Sequence, residues 1–165
     1  MLVYVVRHST AAAREAFQRD DDRPLTDDGI KKMKMVAKAL RATKPGIEVL
    51  YTSPLVRARQ TADVLVKVLA KGVTREDCSA LAPGHPARDV IRFLAKEKAG
   101  TVAVVGHEPQ LGQLVSLMVT ARTQVVVDMK KAAVSCVEFD GAPAAGEGVL
   151  LWHIVPSVVD ALKTK

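Results

Sequence analysis

Val3-Tyr4-Val5-Val6-Arg7-His8-Ser9-Thr10 decides how the rest of this chain is read. Its apolar half, rich in β-branched side chains, predicts a strand buried on both faces. The run stops at an arginine and a histidine followed by two small hydroxyl residues. In open α/β sheets ligands collect at the carboxyl ends of strands, so this is where chemistry is expected. Arg7 offers a permanently charged, planar fork of donors suited to phosphate. His8 is the side chain best able to act as a nucleophile or proton carrier near neutral pH. By itself the pair also fits an ordinary strand end with two solvated polar residues. The rest of the chain separates the two readings.

A second fully buried strand, Val102-Ala103-Val104-Val105, also ends in polar chemistry, Gly106-His107-Glu108-Pro109. Gly106 permits close backbone approach. Pro109 opens a helix that buries Leu111, Leu114, Val115 and Met118. His107 therefore sits where a strand hands over to a helix N-terminus, a favourable place for an anion. A third corner follows the short strand Val49–Thr52, where Ser53-Pro54 signals a helix start and Arg57 falls in the first turn. Ala58, Ala62, Leu65, Val66 and Leu69 form the buried stripe of that helix. Thr61 shares a face with Arg57 and reads as packing rather than as a catalytic group.

The remaining segments supply the scaffold. Thr26 is a plausible N-cap with Asp27 and Asp28 in the first turn, and Ile30, Met33, Val36, Ala37 and Leu40 recur at helical spacing. This helix should stop before Pro45-Gly46. The acidic run Asp20-Asp21-Asp22 reads as a solvated loop; a rim that selects basic partners is the alternative. Cys78–Leu81 suggests another short strand, Ala87–Lys98 a helix, and Ala133–Phe139 and Val149–Val155 two strands joined by the turn Gly141–Gly148. Strands alternating with helices predict an α/β protein, a three-layer α/β/α sandwich around a central, mostly parallel sheet. A hairpin near the C-terminus would make that sheet mixed. The 165 residues suit one domain spanning 1–165.

Composition narrows the function. With 48% hydrophobic but only 4% aromatic residues, Leu, Val and Ala must build most of the core. No apolar run approaches the ~20 residues needed to cross a bilayer. The N-terminus lacks the basic region and cleavage site of a signal peptide, so cytoplasmic residence is the expectation. A net charge of +6 suits an anionic partner. The basic residues are spread out, without an aromatic-interleaved tract, so no nucleic acid partner is expected. Cys78 and Cys136 form no Cys-x-x-Cys pair and read as isolated buried thiols. His8, His85, His107 and His153 lack metal-ligand spacing, so neither a metal nor another cofactor is expected. His153 lies within a strand pattern and reads as structural.

Three corners thus carry Arg7-His8, Arg57 and His107. If they gather along one sheet edge, their charges call for a polyanionic group, and a transferring phosphoryl is the obvious candidate. With Arg23-Pro24-Leu25-Thr26-x-x-Gly29, Ser53-Pro54-x-x-Arg57-Ala58-x-x-Thr61 and Gly106-His107, the chain resembles the histidine phosphatase superfamily, also called phosphoglycerate mutase-like. Within it, the chain resembles the short SixA-type phosphohistidine phosphatases. The resemblance implies a nucleophile at His8, phosphate-binding arginines at Arg7 and Arg57, and a second site histidine at His107.

Two departures stand out. Ser9 replaces the glycine that commonly follows the histidine. Between Arg57 and His107, where many relatives place a glutamate acid, Glu76 and Glu97 lack convincing context. The resemblance therefore favours phosphohistidine on a protein as the substrate, cleaved through a phosphohistidine enzyme intermediate with inorganic phosphate as product. Phosphoramidates need less help with the leaving group. Backbone N–H groups near Ser9 and Glu108 are candidate phosphate donors, and Glu108 and His85 are candidate proton carriers. A phosphomonoesterase of the same superfamily acting on a small metabolite, and a catalytically silent phosphate- or phosphoprotein-binding module, are the alternatives.

Overall fold

Strand β1 (Leu2–Arg7) is buried along its centre, and successive side chains enter different cores. In a computed structural model, which describes residues 1–69 and 72–163, Val3 and Val5 face one apolar cluster while Tyr4 and Val6 face the other. That alternation follows from the period-two geometry of a strand. Burying each Val or Leu side chain contributes about 2 kcal/mol, so the register of such a strand is strongly fixed.

The other elements follow in chain order as α1 (Asp27–Ala42), β2 (Val49–Thr52), α2 (Val56–Leu69) and β3 (Thr74–Asp77). Then come α3 (Ala87–Leu94), β4 (Thr101–Gly106), α4 (Gln110–Thr120), β5 (Val134–Glu138), β6 (Val149–Ile154) and α5 (Pro156–Lys163). Among the described residues the sheet has six strands in the order β3-β2-β4-β1-β5-β6. Strands β3, β2, β4 and β1 are parallel; β5 pairs antiparallel with both β1 and β6. The core on one face draws on α1, α2 and α5, and that on the other on α3 and α4. This is the expected α/β/α sandwich, with the C-terminal hairpin making the sheet mixed.

Register brings the three corners together. Arg7 lies opposite Gly106 across β1 and β4, and Thr52 lies opposite Val105 across β2 and β4. The chain leaves these strands still paired: His8 N–H donates to the Gly106 carbonyl (3.0 Å) and Ser53 N–H to the Val105 carbonyl (2.9 Å). Helix α1 is seated against the same edge through Gly29, where a Cβ would run into the Thr10 carbonyl oxygen. Thr26 caps this helix as expected, its hydroxyl accepting from Gly29 N–H at 3.0 Å.

Three expected boundaries are corrected. Cys78–Leu81 is not a strand: Ser79–Leu81 form a turn of 3₁₀ helix, and the strand is Thr74–Asp77 just before it. All four residues of β3 are exposed, so the edge strand carries no apolar pattern. Its charges instead pair outward, Arg75 with Asp63 and Asp77 with Arg59. Helix α3 ends at Leu94 rather than Lys98, because the Glu97 carboxylate accepts from the N–H groups of Lys98 and Ala99 and turns the chain. Helix α2 begins at Val56, later than Ser53-Pro54 suggests. Its apparent cap, Ser53, is engaged by His107. Cys78 and Cys136 are free, buried thiols in opposite cores. No helix among the described residues is long and apolar enough to cross a membrane.

Candidate active site

His8 and His107 leave adjacent parallel strands at the same level, and their rings lie 5.0 Å apart, tilted by 53°. Both are buried, as is Arg57, which α2 delivers from its second residue. Arg7, His8, Arg57 and His107 line one cavity of about 280 Å³, together with Ala11, Asp20, Arg23, Pro83, Glu108 and Lys131. The residues that the sequence scatters over three corners therefore meet around a space that suits a single oxyanion.

Hydrogen bonding fixes the orientation of His8. Its Nδ1 lies 2.7 Å from the Ser9 carbonyl oxygen. A carbonyl only accepts, so Nδ1 carries the proton and the neutral ring keeps its lone pair on Nε2. His107 is held through Nε2 to the Ser53 hydroxyl at 2.8 Å, while its buried Nδ1 has no hydrogen-bond partner among the described residues. The buried Nε atoms of Arg7 and Arg57 likewise lack partners. The two arginine nitrogens are spare donors on side chains that line the cavity.

Both imidazoles are held neutral. His8 is pushed down to about 4, mainly by burial, with Arg57, Arg7 and Lys131 adding to the effect and the Ser9 carbonyl opposing it. His107 is pushed down to about 3 by burial first, then by His8 and Arg57. An unfolded histidine titrates near 6.5, so the unfolded chain binds protons that the native site refuses. The stability contributed by the neutral pair is complete above about pH 6.5 and is lost as pH falls through about 4 toward about 3, on the order of a few kcal/mol. Thermal melts taken from neutral to acidic pH should show a falling midpoint in this window, with a shallower fall in the His8→Asn/His107→Asn double variant. Parallel pH profiles for the two proteins would contradict this.

The arginines are already engaged. The Arg7 guanidinium donates to the Met129 carbonyl at 2.8 Å. Arg57 donates from one terminal nitrogen to the Asp20 carbonyl and from the other to the Asp20 carboxylate, each at 2.7 Å. Asp20 also lies 2.9 Å from Arg23 Nε. Burial works against the charged form of Asp20, yet Arg57 outweighs it and holds the carboxyl below the usual range. The acidic run is thus more than a solvated loop: Asp20 turns inward as the resident anion on Arg57, while Asp21 and Asp22 stay exposed.

Several expected donors and proton carriers find other places. The backbone N–H of Ser9 donates to Thr61 Oγ1 at 3.1 Å and its hydroxyl to the Gly29 carbonyl at 2.7 Å, so Ser9 has no donor to spare for a ligand. Thr61 passes its own proton to the Arg57 carbonyl at 2.7 Å, which ties α2 to the strand end as packing and hydrogen bonding combined. His85 is exposed beside Asp89, 3.8 Å away, and does not line the cavity. Glu108 does line it. Its carboxylate accepts from Gly112 N–H at 2.9 Å, and burial raises its titration point against the opposing pull of Arg7. Glu76 is exposed on β3, and Glu97 holds the Tyr51 hydroxyl, so neither reaches the site. His153 bonds Ser135 at 2.8 Å. Lys131 and Asp20 are cavity residues that sequence reasoning missed; Arg23 stood within a quoted motif but had no role assigned.

Chemically, a neutral imidazole whose Nε2 lone pair is uncommitted lines a cation-rich pocket, an arrangement that suits phosphoryl transfer. Comparisons with known proteins agree. Residues 3–78 match the family model of the histidine phosphatase superfamily (branch 1). An uncharacterized protein of Picosynechococcus sp. is 34% identical over 137 residues, covering 81% of this chain and 82% of its own. The phosphohistidine phosphatase SixA of Escherichia coli is 29% identical over 159 residues, 94% of each chain. The structure of the protein histidine phosphatase SixA complexed with tungstate superposes with a TM-score of 0.86 at 27% identity, covering 96% of this chain and 99% of that one. The family model, the sequence likenesses and the shared fold lead to one assignment: this chain belongs to the histidine phosphatase superfamily.

Proposed function

We propose that this phosphatase hydrolyses phosphohistidine on a protein, through a covalent intermediate on His8. The observation that carries the reading is the neutral His8 ring, with Nδ1 committed to the Ser9 carbonyl and Nε2 left as the free lone pair in a cation-lined cavity. In the first step Nε2 attacks phosphorus, the new P–N bond forms, and the bond to the substrate imidazole breaks. The departing nitrogen takes a proton from the Glu108 carboxyl as it leaves. Arg7, Arg57 and His107 hold the phosphoryl oxygens, and Arg57 exchanges the Asp20 carboxylate for phosphoryl oxygen. In the second step water attacks the phosphohistidine and returns one proton to the Glu108 carboxylate, the P–Nε2 bond breaks with its electron pair going back to Nε2, and hydrogen phosphate departs.

The choice of a phosphoramidate over an ester rests on the acids at hand. Asp20 is held in its charged form and makes a poor proton donor. Glu108, raised by burial, is the cavity carboxyl best able to carry a proton, but Gly112 N–H already engages its carboxylate. An alkoxide leaving group demands a strong, well-placed acid, whereas a protonated imidazole leaves as a neutral molecule. The likeness to SixA points the same way. The deciding experiment is a substrate panel comparing a histidine-phosphorylated protein domain with sugar phosphates and nucleotides. The domain should give the highest kcat/KM. A small phosphate ester turned over more efficiently would replace this reading with a metabolite phosphomonoesterase. Phosphate binding without any turnover would leave a silent binding module.

A further inference from the structure

Beside the reaction cavity lies a larger cleft of about 710 Å³, between α1, the start of α5 and the loop before β5. Its lining carries Arg7, Lys31, Lys32, Lys130 and Lys131 against only Asp28 and Asp160. Arg7 and Lys131 also line the reaction cavity, so the two spaces adjoin across these two side chains. Lys32 pairs with Asp28 at 3.4 Å and Lys130 pairs with Asp128. Lys31 and Lys131 are exposed and have no ion-pair partner within 4.0 Å among the described residues. Like charges gathered in a cleft repel one another and focus a positive potential that attracts an anion.

We infer that this cleft is the docking subsite for an acidic segment of the phosphorylated protein, placed so that the phosphohistidine enters the adjoining cavity. The inference rests on the proposed protein substrate. At about 710 Å³ against about 280 Å³ for the reaction cavity, the cleft would be left mostly unfilled by a lone phosphoryl and has room for a peptide segment. Its cations are mainly lysines, flexible point charges that accommodate scattered carboxylates, rather than a set of arginine forks arranged for a second phosphate. No aromatic side chain lines it, so a nucleic acid would find no base-stacking platform. An acidic peptide needs no such platform, and the five cations of the lining outnumber its two carboxylates.

The test uses two synthetic phosphohistidine peptides that differ only in whether a run of glutamates or of serines flanks the phosphohistidine. At low ionic strength the wild-type chain should show a KM about tenfold lower for the glutamate peptide, at similar kcat, and the preference should shrink with added salt. The Lys31→Glu/Lys130→Glu variant should lose the preference while hydrolysing free phosphohistidine at the wild-type rate. Equal KM values for the two peptides, or a preference that survives in the variant, would overturn the inference. A second arm needs no turnover: the unphosphorylated, fluorescently labelled glutamate peptide should bind wild type and not the variant by anisotropy. If neither phosphopeptide is hydrolysed while small phosphate esters are, the protein-substrate reading falls, and this binding arm alone decides the cleft. Tighter binding of a single-stranded oligonucleotide of equal charge would assign the cleft to nucleic acid instead.

Discussion

His8→Asn should lower turnover of every accepted substrate by at least about a thousandfold, because removal of a nucleophile leaves only binding and electrostatic stabilisation. Asparagine is chosen because it is polar and smaller than imidazole, so it creates no steric conflict in a site where His8 is only 7% exposed. The loss should fall on kcat, since the groups that hold phosphate remain. Loss of a buried, depressed imidazole also removes an acid-sensitive element, so the variant should melt at least as well as wild type at mildly acidic pH. A folded variant that keeps a tenth of the wild-type rate would remove His8 from the reaction.

The second large effect is expected at Arg57. Arg57→Lys should cost about a hundredfold in kcat/KM or more. Lysine keeps the charge but cannot reproduce the paired donors that now hold the Asp20 carbonyl and carboxylate from two separate nitrogens. Those donors are the ones that an incoming phosphoryl would take over, so the loss reports geometry rather than charge. Asp20→Asn provides the control. It removes the competing carboxylate while leaving Arg57 in place, and should tighten inorganic phosphate as an inhibitor where Arg57→Lys weakens it. Near-normal turnover in Arg57→Lys would place the phosphoryl elsewhere.

How much of this was readable from the letters depends on what kind of signal each residue left. Strands β1 and β4 were legible because buried apolar runs that end in Arg7-His8 and Gly106-His107 combine a local pattern with an abrupt change of chemistry. Arg57 was legible from its helix-start context, although Ser53 serves His107 rather than capping α2. Strand β3 was missed because it is an edge strand whose side chains are all exposed, so backbone pairing to β2 alone defines it. Asp20 was missed for a different reason. Three identical carboxylates stand in a row, and only the tertiary path of the loop decides which one turns toward Arg57.

Ser9 shows the opposite error. A backbone N–H just past a strand end looks like a phosphate donor, but the Ser9 N–H goes to Thr61 Oγ1 and its hydroxyl to the Gly29 carbonyl, both distant in sequence. Lys131 left no sign at all, since one lysine of a pair near a strand start carries no local information about which cavity it faces. The pattern is physical. Residues whose placement depends on their own strand or helix could be read, and those placed by loops meeting other elements could not.

The most direct measurement is rapid acid- and alkali-quenching of the enzyme during turnover of a phosphoryl-radiolabelled substrate. Transfer to His8 Nε2 should leave protein-bound label that is stable in alkali, lost in acid, and absent from His8→Asn. Label that persists in His8→Asn, or turnover by wild type with no alkali-stable label at any quench time, would contradict His8 as the phosphoryl acceptor.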